Sequence, residues 1–122
     1  CYGYIDLLAL DPEDPYHVIL VDWKSQSNSK LKLPSAQMDL YAAWAFLYMP
    51  KAEKVTVEYG FIQNVEYASY TYTRADSESL IQSVINRIDT ADKTTDFKRK
   101  VEKNCKWCDY VNVCNPFAHT GR

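Results

Sequence analysis

The segment His17-Val18-Ile19-Leu20-Val21-Asp22-Trp23-Lys24 is an apolar, β-branched run that reads as a strand, yet it carries a carboxylate and an ammonium. An ionised group buried without a partner costs several kcal/mol or is driven to neutralise. Asp22 and Lys24 therefore belong at a pocket edge, beside a metal ion, a partner or a substrate. Side chains two apart on a strand share a face, about 6.5 to 7 Å apart along it, so these two point into the same space.

Upstream, Tyr2 to Leu10 is rich in β-formers and predicts a strand. Asp11-Pro12-Glu13-Asp14-Pro15 predicts the turn, because both prolines fix φ, lack a donor and restrict the residue before them. With Asp11 to Tyr16 as the connection, the second strand returns antiparallel and position 5 or 6 falls opposite position 22. The hairpin thus brings Asp6 towards Asp22. Adjacent carboxylates repel unless a cation lies between them, and hard oxygen ligands suit Mg²⁺ or Mn²⁺.

Downstream, Ser25 to Lys32 is polar and without periodicity, a loop whose Lys30 and Lys32 are candidates for phosphate contact. Leu33-Pro34-Ser35 opens a helix that Pro50 ends beyond Met49. Along it Gln37, Leu40, Tyr41, Trp44, Leu47 and Tyr48 recur at helical spacing and share one face, with Gln37 the polar member. Lys54 to Ile62 and Glu66 to Arg74 predict a second hairpin around Gln63-Asn64, with Val55, Val57, Tyr59 and Phe61 as its apolar face. Asp76 or Ser77 caps a further helix running to about Asp89, with Leu80, Ile81, Val84, Ile85 and Ile88 as its buried stripe.

From Lys93 the chain turns polar. Lys98, Arg99, Lys100, Lys103 and Lys106 form its dense basic cluster, read either as a solvated face or as a phosphate-contacting strip. Cys105, Cys108 and Cys114 follow at metal-ligand spacing, a poor framework for disulfides in a chain with no secretory signal. Cys1 is the candidate fourth thiolate of an iron–sulfur cluster, and His119 the competing fourth ligand of a Cys3His zinc site.

The 122 residues are 47% hydrophobic and carry a net charge of -2, which suits one globular domain without an overall basic field, so nucleic acid must be met by a local patch. No window reaches the roughly 18 apolar residues of a membrane span, and no signal region precedes the first strand, so an intracellular protein is expected. The chain opens at Cys1 inside a strand-like pattern, from which upstream elements are expected to be missing.

In order and spacing, Gly3-Tyr4-Ile5-Asp6, Asp22-Trp23-Lys24 and Gln37-x3-Tyr41 resemble the PD-(D/E)XK nuclease superfamily, in particular its RecB-like branch, and the tail cysteines resemble the iron–sulfur subset of that branch. The resemblance implies a restriction-endonuclease-like α/β core, a small central mixed sheet flanked by helices, over residues 1–92, without its first helix and strand. A basic, cysteine-rich tail packed on that core would cover 93–122. It implies a deoxyribonuclease, bacterial or phage-encoded, acting as an exonuclease in recombination, repair or phage DNA processing. DNA is the expected partner, with a helicase or recombination protein beside it. Asp6 and Asp22 would bind Mg²⁺ or Mn²⁺ with the Trp23 carbonyl, Lys24 would orient or activate water and stabilise phosphate charge, and Gln37 and Tyr41 would line the site. Cys1, Cys105, Cys108 and Cys114 would hold a 4Fe–4S cluster. The rival readings are a nuclease-like DNA-binding module that cuts nothing and a zinc-stapled interaction domain.

Overall fold

In the computed structural model, residues 3–27 and 31–114 are described. The chain forms two compact units, one ending at Asp89 and the other starting at Thr90. No helix among the described residues is long and apolar enough to cross a membrane.

The first unit is built on a mixed sheet of four strands in the order β1-β2-β3-β4, where β1 is Leu7–Asp11, β2 Asp14–Lys24, β3 Lys54–Phe61 and β4 Glu66–Thr73. β1 and β2 form an antiparallel hairpin, as do β3 and β4. The two hairpins join through a parallel β2–β3 pairing, His17 opposite Lys54 through Lys24 opposite Phe61. A parallel pair needs a crossover, and helix α1, Ala36–Tyr48, supplies it.

The first hairpin differs from its sequence reading at both ends. β1 starts at Leu7 rather than Tyr2, and β2 starts at Asp14 rather than His17. The turn is correspondingly tight, with a register shift between Leu10 and Asp11. Pro15 is tolerated in β2 because β3 pairing begins only at His17, so no ladder on that side asks for its missing N–H. Side-chain bonds set the turn: Asp11 Oδ1 accepts the Glu13 N–H at 3.0 Å and Asp14 Oδ1 accepts the Tyr16 N–H at 3.0 Å.

Alternation along β2 sends Val18 and Leu20 to one face, where they meet Val55, Val57, Tyr59 and Phe61 of β3 in a core closed by α1. Leu20, Val55 and Val57 are wholly buried, and each contributes roughly 1.5 to 3 kcal/mol by leaving water. Ser35 caps α1, its Oγ accepting the Met38 N–H at 3.2 Å, and Met49 ends it ahead of Pro50.

The side of α1 turned to the sheet is Met38, Ala42, Ala45 and Phe46, with Tyr41 at its border. Trp44, Leu47 and Tyr48 of the expected stripe are instead exposed, Trp44 stacking on Tyr48. The helix is apolar nearly all round, so spacing could not select a face; the alanines win because small residues let the helix approach the sheet closely. Helix α2, Ser77–Lys93, runs four residues past its expected end. Its stripe is buried only in part: Val84 is buried and Leu80 and Ile81 pack partly on the core, whereas Ile85 and Ile88 are exposed.

Two polar residues tie these elements together. Asp39 of α1 accepts the Tyr72 hydroxyl of β4 at 2.7 Å and the Arg87 guanidinium of α2 at 2.9 Å. Burial, reinforced by the Asp39 carboxylate, pushes the Tyr72 hydroxyl far above its ordinary value, so it stays a donor. Arg74, directly after β4, gathers the carbonyls that end α1 and begin the turn after it.

The β3–β4 turn holds Val65 at φ 52°, the left-handed region that a β-branched residue occupies at a cost of about 1 to 2 kcal/mol. Its side chain is 78% exposed, so packing does not compensate. Val65→Asn is expected to raise stability by about 1 kcal/mol, measured as a higher urea midpoint at unchanged slope.

The second unit contains a 3-10 segment, Lys103–Trp107, and a single helical turn α3, Val111–Cys114.

Candidate active site

Val18, Leu20, Asp22 and Lys24 form one alternating row on β2, so the two charges occupy the place where the apolar row runs out. Lys24 Nζ lies 2.6 Å from Asp22 Oδ2, and Asp22 is 8% exposed. The buried carboxylate is thus paired rather than bare.

Asp6 reaches the same strand from the other side. One step beyond the Leu7–Val21 pair it stands opposite Asp22, and its Oδ2 accepts the Trp23 N–H at 2.8 Å. A side-chain carboxylate here continues the antiparallel ladder past the end of β1. Trp23 points to the other face, where a Cβ on Gly60 would lie 2.4 Å from its ring; only glycine fits beneath it.

Gln37 and Tyr41, one turn apart on α1, complete the polar cluster. Gln37 Oε1 accepts from Lys24 Nζ at 2.9 Å, Gln37 Nε2 donates to the Tyr41 hydroxyl at 3.1 Å, and Tyr41 donates to the Tyr4 carbonyl at 2.8 Å. Burial pushes the Tyr41 hydroxyl up, and the charges of Asp22 and Asp6 add to it against the opposing Gln37 bond and Lys24, so Tyr41 remains protonated. For Lys24, burial works against the charge, but the hydrogen bond and charge of Asp22 outweigh it and its pKa is raised. Lys24 is therefore a fixed cation, not a proton acceptor, in this arrangement.

The structure thus brings Asp6, Asp22, Trp23, Lys24, Gln37 and Tyr41 together. Sequence reasoning passed over Tyr59, which it placed on the apolar face of β3 beside Val57 and Phe61. Parallel pairing sets Tyr59 next to Asp22, and its hydroxyl donates to Gln37 Oε1 at 3.0 Å. Nothing local in the sequence marks a parallel register between strands thirty residues apart.

Other expected residues stand elsewhere. Cys1, Lys30 and His119 lie outside the described residues. Lys32 is exposed in the loop before α1. Lys98, Arg99 and Lys100 are exposed in the second unit, where Arg99 donates to the Cys114 carbonyl at 3.2 Å and Lys100 pairs with Glu102.

Among the described residues no three His, Cys, Asp or Glu side chains gather closely enough to hold a metal ion. Both candidate fourth ligands of the tail cysteines, Cys1 and His119, lie outside those residues. Cys105 is engaged locally, its Sγ accepting the Glu102 N–H at 3.3 Å and donating to the Lys100 carbonyl at 3.9 Å. Cys105 is partly buried, and Cys108 and Cys114 are exposed. The donor chemistry at β2 does suit a hard divalent cation, since Asp6 and Asp22 offer carboxylate oxygens from facing positions.

The family model of the PD-(D/E)XK nuclease superfamily matches residues 2–115. No curated protein matches the chain significantly. Among solved structures it is similar to the crystal structure of SSO0001, at 19% identity and a TM-score of 0.37, covering 80% of this chain and 44% of that one. The chain thus spans less than half the length of that protein.

Proposed function

Since the chain belongs to the PD-(D/E)XK nuclease superfamily, we propose that the Asp6, Asp22, Lys24, Gln37 and Tyr41 cluster is the active site of a DNA nuclease that hydrolyses phosphodiesters with Mg²⁺ or Mn²⁺. The observation that carries this reading is the convergence of Lys24 on Asp22 at 2.6 Å and on Gln37 at 2.9 Å. A lysine so held is a point charge aimed at one spot, the arrangement that stabilises a developing phosphate charge.

Asp6 and Asp22, with the Trp23 carbonyl, would hold the divalent ion. Bound there, the ion supplies polarisation of the scissile phosphate and activation of water. Two of the three Lys24 protons go to Asp22 and Gln37, which directs the third towards a substrate oxygen. Gln37 and Tyr41 line the site and hold Lys24 in place. Lys30, Lys32, Lys98, Arg99 and Lys100 would contact the DNA backbone, so binding should weaken steeply with salt. The Gln37-x3-Tyr41 pair favours a RecB-like exonuclease of recombination, repair or phage DNA processing, working beside a helicase or recombination protein. The spacing of Cys105, Cys108 and Cys114 supports a tail site for an iron–sulfur cluster with Cys1, or for zinc with His119, and the proposed chemistry does not use it.

One observation favours a second reading. Among the described residues no third His, Cys, Asp or Glu side chain joins Asp6 and Asp22, which would also suit a DNA-binding module that keeps the platform but does not cut. The deciding experiment is cleavage of linear and nicked DNA with Mg²⁺ or Mn²⁺ by the wild type and by Asp22→Ala. Metal-dependent cutting that falls at least about 10³-fold in the variant is the expected result. Equal cutting by both overturns the assignment of Asp22, and DNA binding without cutting by either supports the module.

A further inference from the structure

We propose that Tyr59 is a positioning residue of this site, holding Lys24 through the Gln37 amide; the inference rests on the nuclease reading above and adds a residue to it. Tyr59 is 3% exposed and sits on β3 directly beside Asp22. Its neighbours on the same face, Val55, Val57 and Phe61, are wholly apolar and buried. A phenol in that row buries a hydroxyl, which is tolerated because the hydroxyl is bonded on both sides.

The bonds have one consistent direction. Lys24 Nζ can only donate, so the Gln37 oxygen must face it. Tyr59 donates to that same oxygen at 3.0 Å. The Tyr59 oxygen is then left to accept from Ser35 Oγ, which itself accepts the Met38 N–H as the cap of α1. On the amide's far side Gln37 Nε2 donates to Tyr41. A flipped amide would turn its NH₂ on two donors at once, so Tyr59 and Lys24 together lock one orientation. The Tyr59 ring adds a second restraint, since Lys24 Nζ lies 4.7 Å from its centroid. Lys24 is held from three sides, and Tyr59 supplies one of them directly and another through Gln37.

Tyr59→Phe keeps the ring and the packing volume and removes only the hydroxyl. With that donor gone Lys24 and Tyr41 still orient the amide, but the Gln37 oxygen loses one of its two donors and is held less firmly, so the ammonium's acceptor is less fixed. The expected results are a kcat for DNA cleavage lower by about tenfold, a KM for DNA within about twofold, and a Gln37→Ala/Tyr59→Phe double variant little worse than Gln37→Ala alone. Independently of activity, acylation of Lys24 by an amine-reactive ester, read residue by residue with peptide mass spectrometry, should speed up about threefold while other lysines keep their rates. A merely structural role would change melting temperature and leave the Lys24 rate where it was.

An unchanged Lys24 rate overturns the inference, as does a raised rate with unchanged kcat in a wild type that cuts DNA. In a wild type that cuts nothing, the nuclease reading fails by that result, and the acylation rate still decides whether Tyr59 holds Lys24.

Discussion

On the proposed nuclease function, Lys24→Met is expected to lower kcat for DNA cleavage by about 10² to 10³-fold, the usual cost of removing one preorganised charge from the position where transition-state charge would develop. The side chain ends 2.6 Å from Asp22 and 2.9 Å from Gln37, so its position is set before substrate arrives and no reorganisation is needed during the reaction. Lys24→Arg should restore little of the loss. A planar guanidinium has a different fork and reach, and it cannot occupy a slot built for a compact ammonium between a carboxylate, an amide and a ring. Melting curves of both variants provide the control for folding, since loss of the cation leaves the Asp22 carboxylate buried without its partner.

The pH dependence has a definite sign. Burial opposes the Lys24 charge, but Asp22 more than offsets it, and the folded pKa stands above the ordinary 10.5. A group whose pKa is raised by folding contributes stability that is fully present below its unfolded value and lost as pH rises through the folded one. The Asp22–Lys24 pair therefore contributes fully at neutral and mildly alkaline pH, and the stability gap between wild type and Lys24→Met should close only above about pH 10.5. Denaturant midpoints measured across that range check it; a gap that closes near neutrality would contradict the geometry.

Arg74→Ala is expected to cost about 3 kcal/mol of stability and to lower the melting temperature by roughly 10 °C. Its Nε donates to the Ala52 carbonyl at 2.8 Å, one terminal nitrogen to Phe46 at 3.1 Å, and the other to Met49 at 3.0 Å and Pro50 at 3.1 Å. These carbonyls belong to the end of α1 and the turn after it, groups that a helix leaves without internal partners. A cation there also meets the negative end of the helix dipole, and it lies 4.8 Å from the Phe46 ring centroid. The backbone takes part as well, the Arg74 N–H donating to the Glu53 carbonyl at 2.8 Å. Lysine has one nitrogen where four carbonyls wait, so Arg74→Lys should recover less than half of the loss. Thermal unfolding by circular dichroism measures both.

Several features were legible because they depend on neighbours in the chain. The shared face of Asp22 and Lys24 follows from the two-residue period of a strand, and the facing of Asp6 and Asp22 from the length of a hairpin closed near Pro12. Ser35 and Pro50 marked the ends of α1 by their own chemistry. The two hairpins and the helix between them were legible in the same way, whereas the mixed sheet they form was expected only from the resemblance. Where local signals were degenerate, the reading went astray. The run from Ala36 to Tyr48 offers apolar residues on every side, so its buried face could not be chosen. The stripe of α2 has the right period but meets too little surface to be covered throughout, leaving Ile85 and Ile88 exposed.

What the amino-acid sequence determined by itself is therefore the set of elements and the residues each strand or helix turns to a common side, since backbone periodicity and capping act over a few residues. Tertiary structure alone decided which sides meet. The parallel register of β2 and β3 places Tyr59 beside Asp22, and the return of the chain after β4 delivers Arg74 to carbonyls 22 to 28 residues away. Both depend on the closure of long loops around a shared core, an outcome of global packing that no short window of sequence encodes.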